Sequence, residues 1–193
     1  APPPLRIVAI SDTHGLEDRL TAPDAPEPWF LTEDVVVNDD YDDDAAAAAA
    51  AASNSDTDRG KKTGTLPPGD VLIHLGDFAV DAPGRRPRAL AAFDSWLSDQ
   101  PHPTKIVLRG NHDPYDVDFP ASGATYVNEP TGLNVEGWDL SLIPYVSRSG
   151  HDVPNGDVLA SHVPPKAILD RCLTGQKAGS HYLRAKAGGV RSG

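Results

Sequence analysis

Residues 71–77, Val-Leu-Ile-His-Leu-Gly-Asp, decide the fold of this chain. A short apolar run that is rich in β-branched residues and ends at a turn signal predicts a buried β-strand. Similar runs lie at residues 5–10 and 105–108, and apolar residues recur at helical spacing between residues 89 and 97. The order strand, strand, helix, strand predicts an α/β fold in which the strands are parallel.

Four further apolar runs, each three or four residues long, occupy the second half of the chain. Gly, Pro and Asn separate them, as is typical of strands joined by turns. The first three runs predict a second, more antiparallel sheet, and the last predicts a strand that ends at Ser161-His162. The four runs lie at residues 125–127, 133–135, 140–143 and 157–160.

The segment from about residue 23 to residue 64 differs in composition from the rest of the chain. It holds eleven acidic and three basic residues together with a run of eight alanines, Ala45–Ala52. Like charges repel and alanine buries little apolar area, so this segment cannot offset the entropy that it would lose on ordering. We therefore predict a low-complexity surface insertion in a single domain of residues 1–193. Binding of a basic partner is an alternative role for it.

The net charge of −11 is concentrated in that segment, and the remaining residues carry a net charge of only −3. Nucleic-acid binding needs clustered Lys and Arg, a pattern that this sequence does not show. No apolar stretch is long enough to span a bilayer, and residues 1–4 lack the features of a secretory signal. The single cysteine, Cys172, cannot form an intrachain disulfide, which favours a reducing compartment such as the cytoplasm.

Side chains that can bind a metal ion or move a proton follow the predicted strands. Ligands of open α/β sheets gather beyond the carboxyl ends of the strands, so one rim could present all of these side chains. Carboxylate, imidazole and amide oxygen together suit Mn, Fe or Zn. If the chain stays extended through residues 12–14, alternate side chains turn towards one ion. The six candidates are Asp12, His14, Asp77, Asn111, His112 and His162.

Each motif alone also has a simpler interpretation. Gly-Asp is a common turn dipeptide, and Asn111 to Pro114 can initiate a turn. Four strand-end motifs in a fixed order are nevertheless hard to produce by packing alone. His74 lies inside its strand. It is interpreted as a structural residue, or as one that orients the metal ligands without binding the metal itself. Asp113 either orients His112 or caps a turn.

The motifs in this order resemble the calcineurin-like metallophosphoesterase superfamily. Residues 67–74 and 161–165 further resemble its small branch of metallophosphoesterase-domain proteins. The resemblance implies an α/β sandwich of two mixed sheets flanked by helices. The motifs that carry it are Asp12-Thr13-His14, Gly76-Asp77, Gly110-Asn111-His112-Asp113 and Ser161-His162.

The resemblance also implies a ligand set for two divalent ions, Mn, Fe or Zn. Asp12 and His14 would bind the first ion, and Asn111 and His162 the second. Asp77 would bridge both ions, since one carboxylate can span two metals that lie about 3.5–4 Å apart.

The same resemblance implies hydrolysis of a small phosphomonoester or phosphodiester by a hydroxide bound to both ions. His112 would protonate the leaving oxygen or stabilise the transition state. Protein phosphatases of the superfamily carry an Asp three residues after the bridging Asp, followed by Arg-Gly. Here Asp81 comes four residues after Asp77 and is followed by Ala-Pro, which favours a small substrate.

One motif of the superfamily has no match in this chain. The superfamily places Gly-His-x-His after the position of His162, and the 31 residues that follow His162 lack it. We therefore expect a C-terminally incomplete domain. The alternative function is a catalytically impaired binding protein with this fold, or an inactive fragment.

Overall fold

The computed structural model describes most of the predicted elements. The insertion expected at about 23–64 lies outside the described residues, as do Cys172 and Asp81, so what we predicted from these positions stays a prediction. The same holds for the assignment of a single domain. The described residues are 2–17, 20, 65–79, 86–146, 152–171, 175 and 177–187.

Four parallel strands form the first sheet and occupy it in chain order. The central strand β2 is buried along its whole length, which matches its unbroken apolar sequence because parallel strands are covered on both faces. The strands are β1 (Ile7–Ile10), β2 (Val71–His74), β3 (Thr104–Leu108) and β4 (Thr125–Val127).

Helix α1 (Arg86–Asp99) lies between β2 and β3 in the chain. Proline is tolerated in a first helical turn, as at Pro87, and Pro101 follows shortly after the helix ends. Phe93 and Leu97, one turn apart, are almost fully buried. The predicted helix and its apolar face are confirmed.

The second sheet contains three strands, β5 (Thr131–Val135), β6 (Trp138–Ile143) and β7 (Val158–Ser161). Strands β5 and β6 are antiparallel and β7 is parallel to β6, so this sheet is mixed. Glu136 and Gly137 join the hairpin with positive φ angles of 52° and 88°, the backbone that a two-residue type I′ turn requires. A short helix, α2 (His181–Ala187), follows later.

Strand β4 corrects one expectation. We predicted residues 125–127 in the second, antiparallel sheet, but they pair in parallel with β3 in the first sheet. Tyr126 packs against Phe78 and Phe119 on the helical side, while Val127 faces the second sheet. The first sheet is therefore parallel throughout its described strands rather than mixed. The α/β class and the two-sheet architecture are confirmed.

Two apolar clusters cover the two faces of the first sheet. Successive side chains of a strand point to opposite faces. Leu72 accordingly joins the cluster on the side of α1, whereas Val71 and Ile73 join the cluster that also holds Leu140 and Leu142 of the second sheet. The first sheet is thus the middle layer, and its strand ends reach the surface at an open rim.

Replacing Phe93 by Ala is expected to lower the free energy of unfolding by about 3–5 kcal/mol. The Phe93 ring is buried and stacks on Phe78 with ring centroids 4.5 Å apart, so its loss leaves a cavity between helix and sheet. Urea denaturation measures the change. Ser95→Ala, on the exposed face of the same helix, should change stability by less than about 0.5 kcal/mol. Equal effects in the two variants would contradict this packing.

Candidate metal centre

Backbone hydrogen bonds join the loops that follow β1 and β2. The N–H of Asp12 donates to the carbonyl oxygen of Gly76 at 3.0 Å, and the N–H of His14 donates to that of Asp77 at 3.1 Å. The loops continue the register of the parallel pair, in which Ile10 lies opposite His74. Residues 63 and 64 positions apart in sequence are thereby held side by side at the rim.

The first group of candidate ligands is formed by Asp12, His14 and Asp77. One ligand atom from each lies within 4.8 Å of the others, a spacing at which the three can hold one metal ion. The hydroxyl of Ser11 donates to the carboxylate of Asp12 and orients it. Asp77 is buried, whereas Asp12 is exposed, so the group opens to solvent on one side.

The backbone at these residues differs from our expectation. We predicted an extended chain through residues 12–14, but φ is 56° at Asp12 and 46° at His14. Two left-handed residues, rather than strand alternation, turn the two side chains together. Asp77 is also left-handed, with φ of 58°. Asp and His are enriched among the non-glycine residues that adopt this conformation, but it remains uncommon for them.

A second group of side chains also includes Asp77. His162 Nε2 lies 3.0 Å from Asn111 Oδ1 and 3.9 Å from Asp77 Oδ2. His162 reaches the rim because its N–H continues the pairing of β7 with β6 by donating to Ile143 O at 3.0 Å. The two groups therefore share Asp77.

The position of the proton on the neutral His162 ring makes the second group suited to a cation. Nδ1 lies 2.9 Å from the carbonyl oxygen of Leu75, which can only accept, so the Nδ1 proton is fixed there. In a neutral ring Nε2 then carries a lone pair, and it faces the oxygens of Asn111 and Asp77. Three lone-pair donors that converge in this way need a cation or a proton between them. The donor set thus fits a divalent ion.

His14 has the same arrangement. Its Nδ1 lies 3.4 Å from the carbonyl oxygen of Ala79, which favours a proton on Nδ1 and leaves Nε2 as the donor atom. His112 lies beside it, with the two ring centroids 5.6 Å apart. The backbone N–H of His112 donates to Asp77 Oδ1 at 3.0 Å. All six candidate residues are therefore brought to one rim, and their individual roles stay predictions.

Two glycines let the loops approach this closely. A Cβ on Gly110 would overlap the backbone nitrogen and the carboxylate of Asp77. Gly76 has a φ of 113°, and a Cβ there would lie 2.7 Å from His162 Nδ1 and from the backbone of Gly110. Any larger residue at either position would push Asp77 or His162 out of place.

A family model described as calcineurin-like phosphoesterase matches residues 5–175 of the sequence. The chain belongs to the calcineurin-like phosphoesterase family. Hydrolysis of phosphoesters with divalent metal ions is the chemistry that this membership implies. The described part of this phosphoesterase chain has no helix that is long and apolar enough to span a bilayer.

Three relatives illustrate the range of proteins to which this phosphoesterase chain is similar. "UPF0046 protein K07C11.7" of Caenorhabditis elegans is 42% identical over 152 residues, which cover 61% of this chain and 51% of the relative. "Metallophosphoesterase domain-containing protein 1" of Homo sapiens is 42% identical over 57 residues, 29% of this chain and 17% of the relative. "Probable rhamnogalacturonate lyase C" of Emericella nidulans is 29% identical over 147 residues, 60% of this chain and 14% of the relative. The chain thus spans about half of the nematode protein and less than a fifth of the other two.

Asp113 clamps two loops of this phosphoesterase chain together. Its buried carboxylate accepts hydrogen bonds from the N–H groups of Gly110 and Asp77, both at 2.7 Å, and of Ala79 at 2.9 Å. Burial raises the pKa of Asp113, and the three N–H groups oppose that rise by favouring the carboxylate. The bond from Gly110 closes the turn of residues 110–113, which agrees with the turn-capping interpretation of Asp113, and the same side chain also fixes the loop that carries Asp77. The amino-acid pattern did not indicate this second contact.

Asp113→Asn is expected to lower the free energy of unfolding by at least about 2 kcal/mol. One carboxylate oxygen accepts two of the N–H groups and the other accepts the third, so an amide NH₂ must face one of these donors. Thermal or urea denaturation measures the loss. Asp118→Asn, the same change at an exposed position of the same loop, should be nearly neutral. Equal losses in the two variants would contradict the clamp.

Proposed function

We propose that this chain hydrolyses small phosphoesters at a centre of two divalent metal ions. The observation that supports the proposal is the pair of candidate ligand groups that share Asp77. Asp12 and His14 lie close to Asp77 in one group, and in the other His162 Nε2 lies 3.9 Å from Asp77 Oδ2 and 3.0 Å from Asn111 Oδ1. Each group offers three side chains, and three protein ligands are typical of catalytic metal sites that keep an open position.

When bound, divalent metal ions would supply the main electrostatic contribution to this reaction. Two divalent ions held in these groups would lower the pKa of a bound water and neutralise charge on the phosphoryl oxygens. Mn, Fe and Zn suit the mixed carboxylate, imidazole and amide donors. The carboxylates of Asp12 and Asp77 offset part of the positive charge.

His112 is the proposed proton donor to the leaving oxygen. It follows Asn111 directly, its N–H is anchored on Asp77, and its ring lies beside His14. These contacts place the His112 side chain beside the candidate metal ligands. It is only half-buried, so a substrate can reach it. A positioned histidine contributes about 10²–10⁴-fold to a reaction with a poor leaving group.

The proposed substrate is a small phosphomonoester or phosphodiester. The sequence after Asp77, in which Asp81 is followed by Ala-Pro, favours this class of substrate. Asp81 lies outside the described residues. The open rim is consistent with this class, because each candidate ligand group contains one exposed residue, Asp12 in the first and Asn111 in the second.

Metal dependence tests the centre directly. Dialysis against a chelator should abolish hydrolysis of p-nitrophenyl phosphate and of bis(p-nitrophenyl) phosphate, and added Mn²⁺ should restore it. Asp77→Asn should lower kcat/KM at least about 100-fold, because the side chain shared by both groups loses its charge. Asp118→Asn serves as the exposed control and should retain full activity.

Two results would count against this proposal. If wild type and Asp77→Asn hydrolyse the esters with equal kcat/KM, the residues around Asp77 do not form the catalytic centre. The absence of both hydrolysis and metal binding at sub-millimolar metal would instead favour the alternative, a catalytically impaired binding protein with this fold or an inactive fragment.

Replacing His112 by Asn tests the proton donor through the leaving group. kcat should fall about 10²–10⁴-fold for an alkyl phosphate, whose leaving oxygen needs a proton. The fall should be much smaller for p-nitrophenyl phosphate, since p-nitrophenolate leaves without one. His181→Asn, at an exposed position in α2, is the matched control. Losses of equal size for both substrates would assign His112 a role other than proton donation.

A further inference from the structure

A buried chain of hydrogen bonds lies directly behind Asp12 and His14. The N–H of Gly76 donates to His74 Nδ1 at 3.2 Å, and His74 Nε2 lies 3.0 Å from the hydroxyl of Thr13. That hydroxyl donates to Glu17 Oε1 at 2.5 Å. His74 is 0% exposed, Thr13 7% and Glu17 6%, so water does not compete for these bonds.

The direction of each hydrogen bond follows from its partners. A backbone N–H can only donate, so Nδ1 of His74 accepts from Gly76, and the proton of the neutral ring lies on Nε2. Burial is the main reason that the pKa of His74 falls to about 3, with smaller contributions from His14 and His162, which agrees with a neutral ring. Nε2–H therefore donates to Thr13, whose own proton is directed to Glu17.

The His74 ring is fixed by packing as well as by hydrogen bonds. It makes edge contacts with Phe93 and Phe78, with centroids 5.2 and 6.0 Å apart. It is also the last residue of β2, opposite Ile10 in β1. One imidazole thereby links the loops that follow both strands.

Thr13 lies between two residues whose backbone is strained. Asp12 and His14 both have positive φ, a backbone conformation that non-glycine residues keep only where their surroundings hold it. The backbone bonds to Gly76 and Asp77 hold the two ends of this tripeptide. The hydrogen bonds of the Thr13 hydroxyl with His74 and Glu17 hold the central residue of the tripeptide.

We propose that Thr13, held between His74 and Glu17, is a positioning residue that keeps Asp12 and His14 oriented for metal binding. The inference rests on the metal centre of the proposed function. Thr13 itself touches neither ion nor substrate, and it acts through the two residues beside it. A purely structural role would alter stability and leave metal affinity unchanged.

Calorimetric titration of the chelator-dialysed protein with Mn²⁺ tests this role. Thr13→Val keeps the shape of the side chain and removes the hydroxyl, and it should weaken Mn²⁺ binding about 10–100-fold, as is typical when a group that supports a metal ligand is lost. Thr13→Ser restores the hydroxyl and should bind within about threefold of wild type. The melting temperature of each metal-free variant is recorded in parallel.

Ser141→Ala is the matched control. Ser141 is also buried and its hydroxyl donates to the carbonyl oxygen of Pro154 at 2.9 Å, in the second sheet. The variant loses a buried hydroxyl hydrogen bond, as Thr13→Val does, and should retain wild-type Mn²⁺ affinity. Equal weakening by both variants, or wild-type affinity in Thr13→Val, would overturn the positioning role.

Two substitutions of His74 decide the question if Thr13→Val does not fold. His74→Gln places an amide N–H near Nε2 and should retain most of the affinity. His74→Asn keeps an acceptor for Gly76, loses the donor to Thr13, and should weaken binding as Thr13→Val does. The reverse order, or no Mn²⁺ binding by wild type, would overturn the proposal. Should metal affinity follow the expected pattern while wild type hydrolyses no phosphoester, the positioning role stands and the proposed function falls.

Discussion

The buried carboxylate of Asp113 holds the rim of the first sheet together by accepting three backbone N–H groups from two loops. The loops that follow β2 and β3 carry Asp77, Asn111 and His112, and parallel strands alone would leave those loops separate. A charge-assisted hydrogen bond is about twice as strong as a neutral one, so one side chain can fix two loops. The ligand cluster is thus built first from backbone contacts, and its side chains converge as a result.

The candidate centre combines a rigid support with candidate ligands whose backbone is strained. The first sheet lies between α1 and the second sheet, and its central strand is fully buried. At its rim, Asp12, His14 and Asp77 adopt left-handed conformations that no regular element would give them. Strain of this kind persists only where the surroundings over-determine it, and it is common at functional sites. The well-packed sheet and the hydrogen bonds to Gly76 and Asp77 meet that requirement.

The amino-acid pattern predicted much of this arrangement, and its limits have physical causes. The apolar runs located seven strands and α1, and strand-end positions located all six candidate residues, because both depend on local periodicity. The sheet that β4 joins depends on tertiary contacts of Tyr126 and Val127, which a three-residue run does not encode. The sign of φ at Asp12 and the contact of Thr13 with His74 depend on a neighbouring strand far away in sequence. The contact of Asp113 with the loop after β2 also depends on residues far away in sequence, so the amino-acid pattern did not indicate it.

The closeness of Gly76 and Gly110 restricts the substitutions that the two loops can accept. A Cβ at Gly76 would overlap the backbone of Gly110, and a Cβ at Gly110 would overlap Asp77. Neither loop can therefore acquire a side chain at these positions while its neighbour stays unchanged. The two loops are therefore coupled sterically, so that a substitution at either glycine requires a compensating shift in the neighbouring loop.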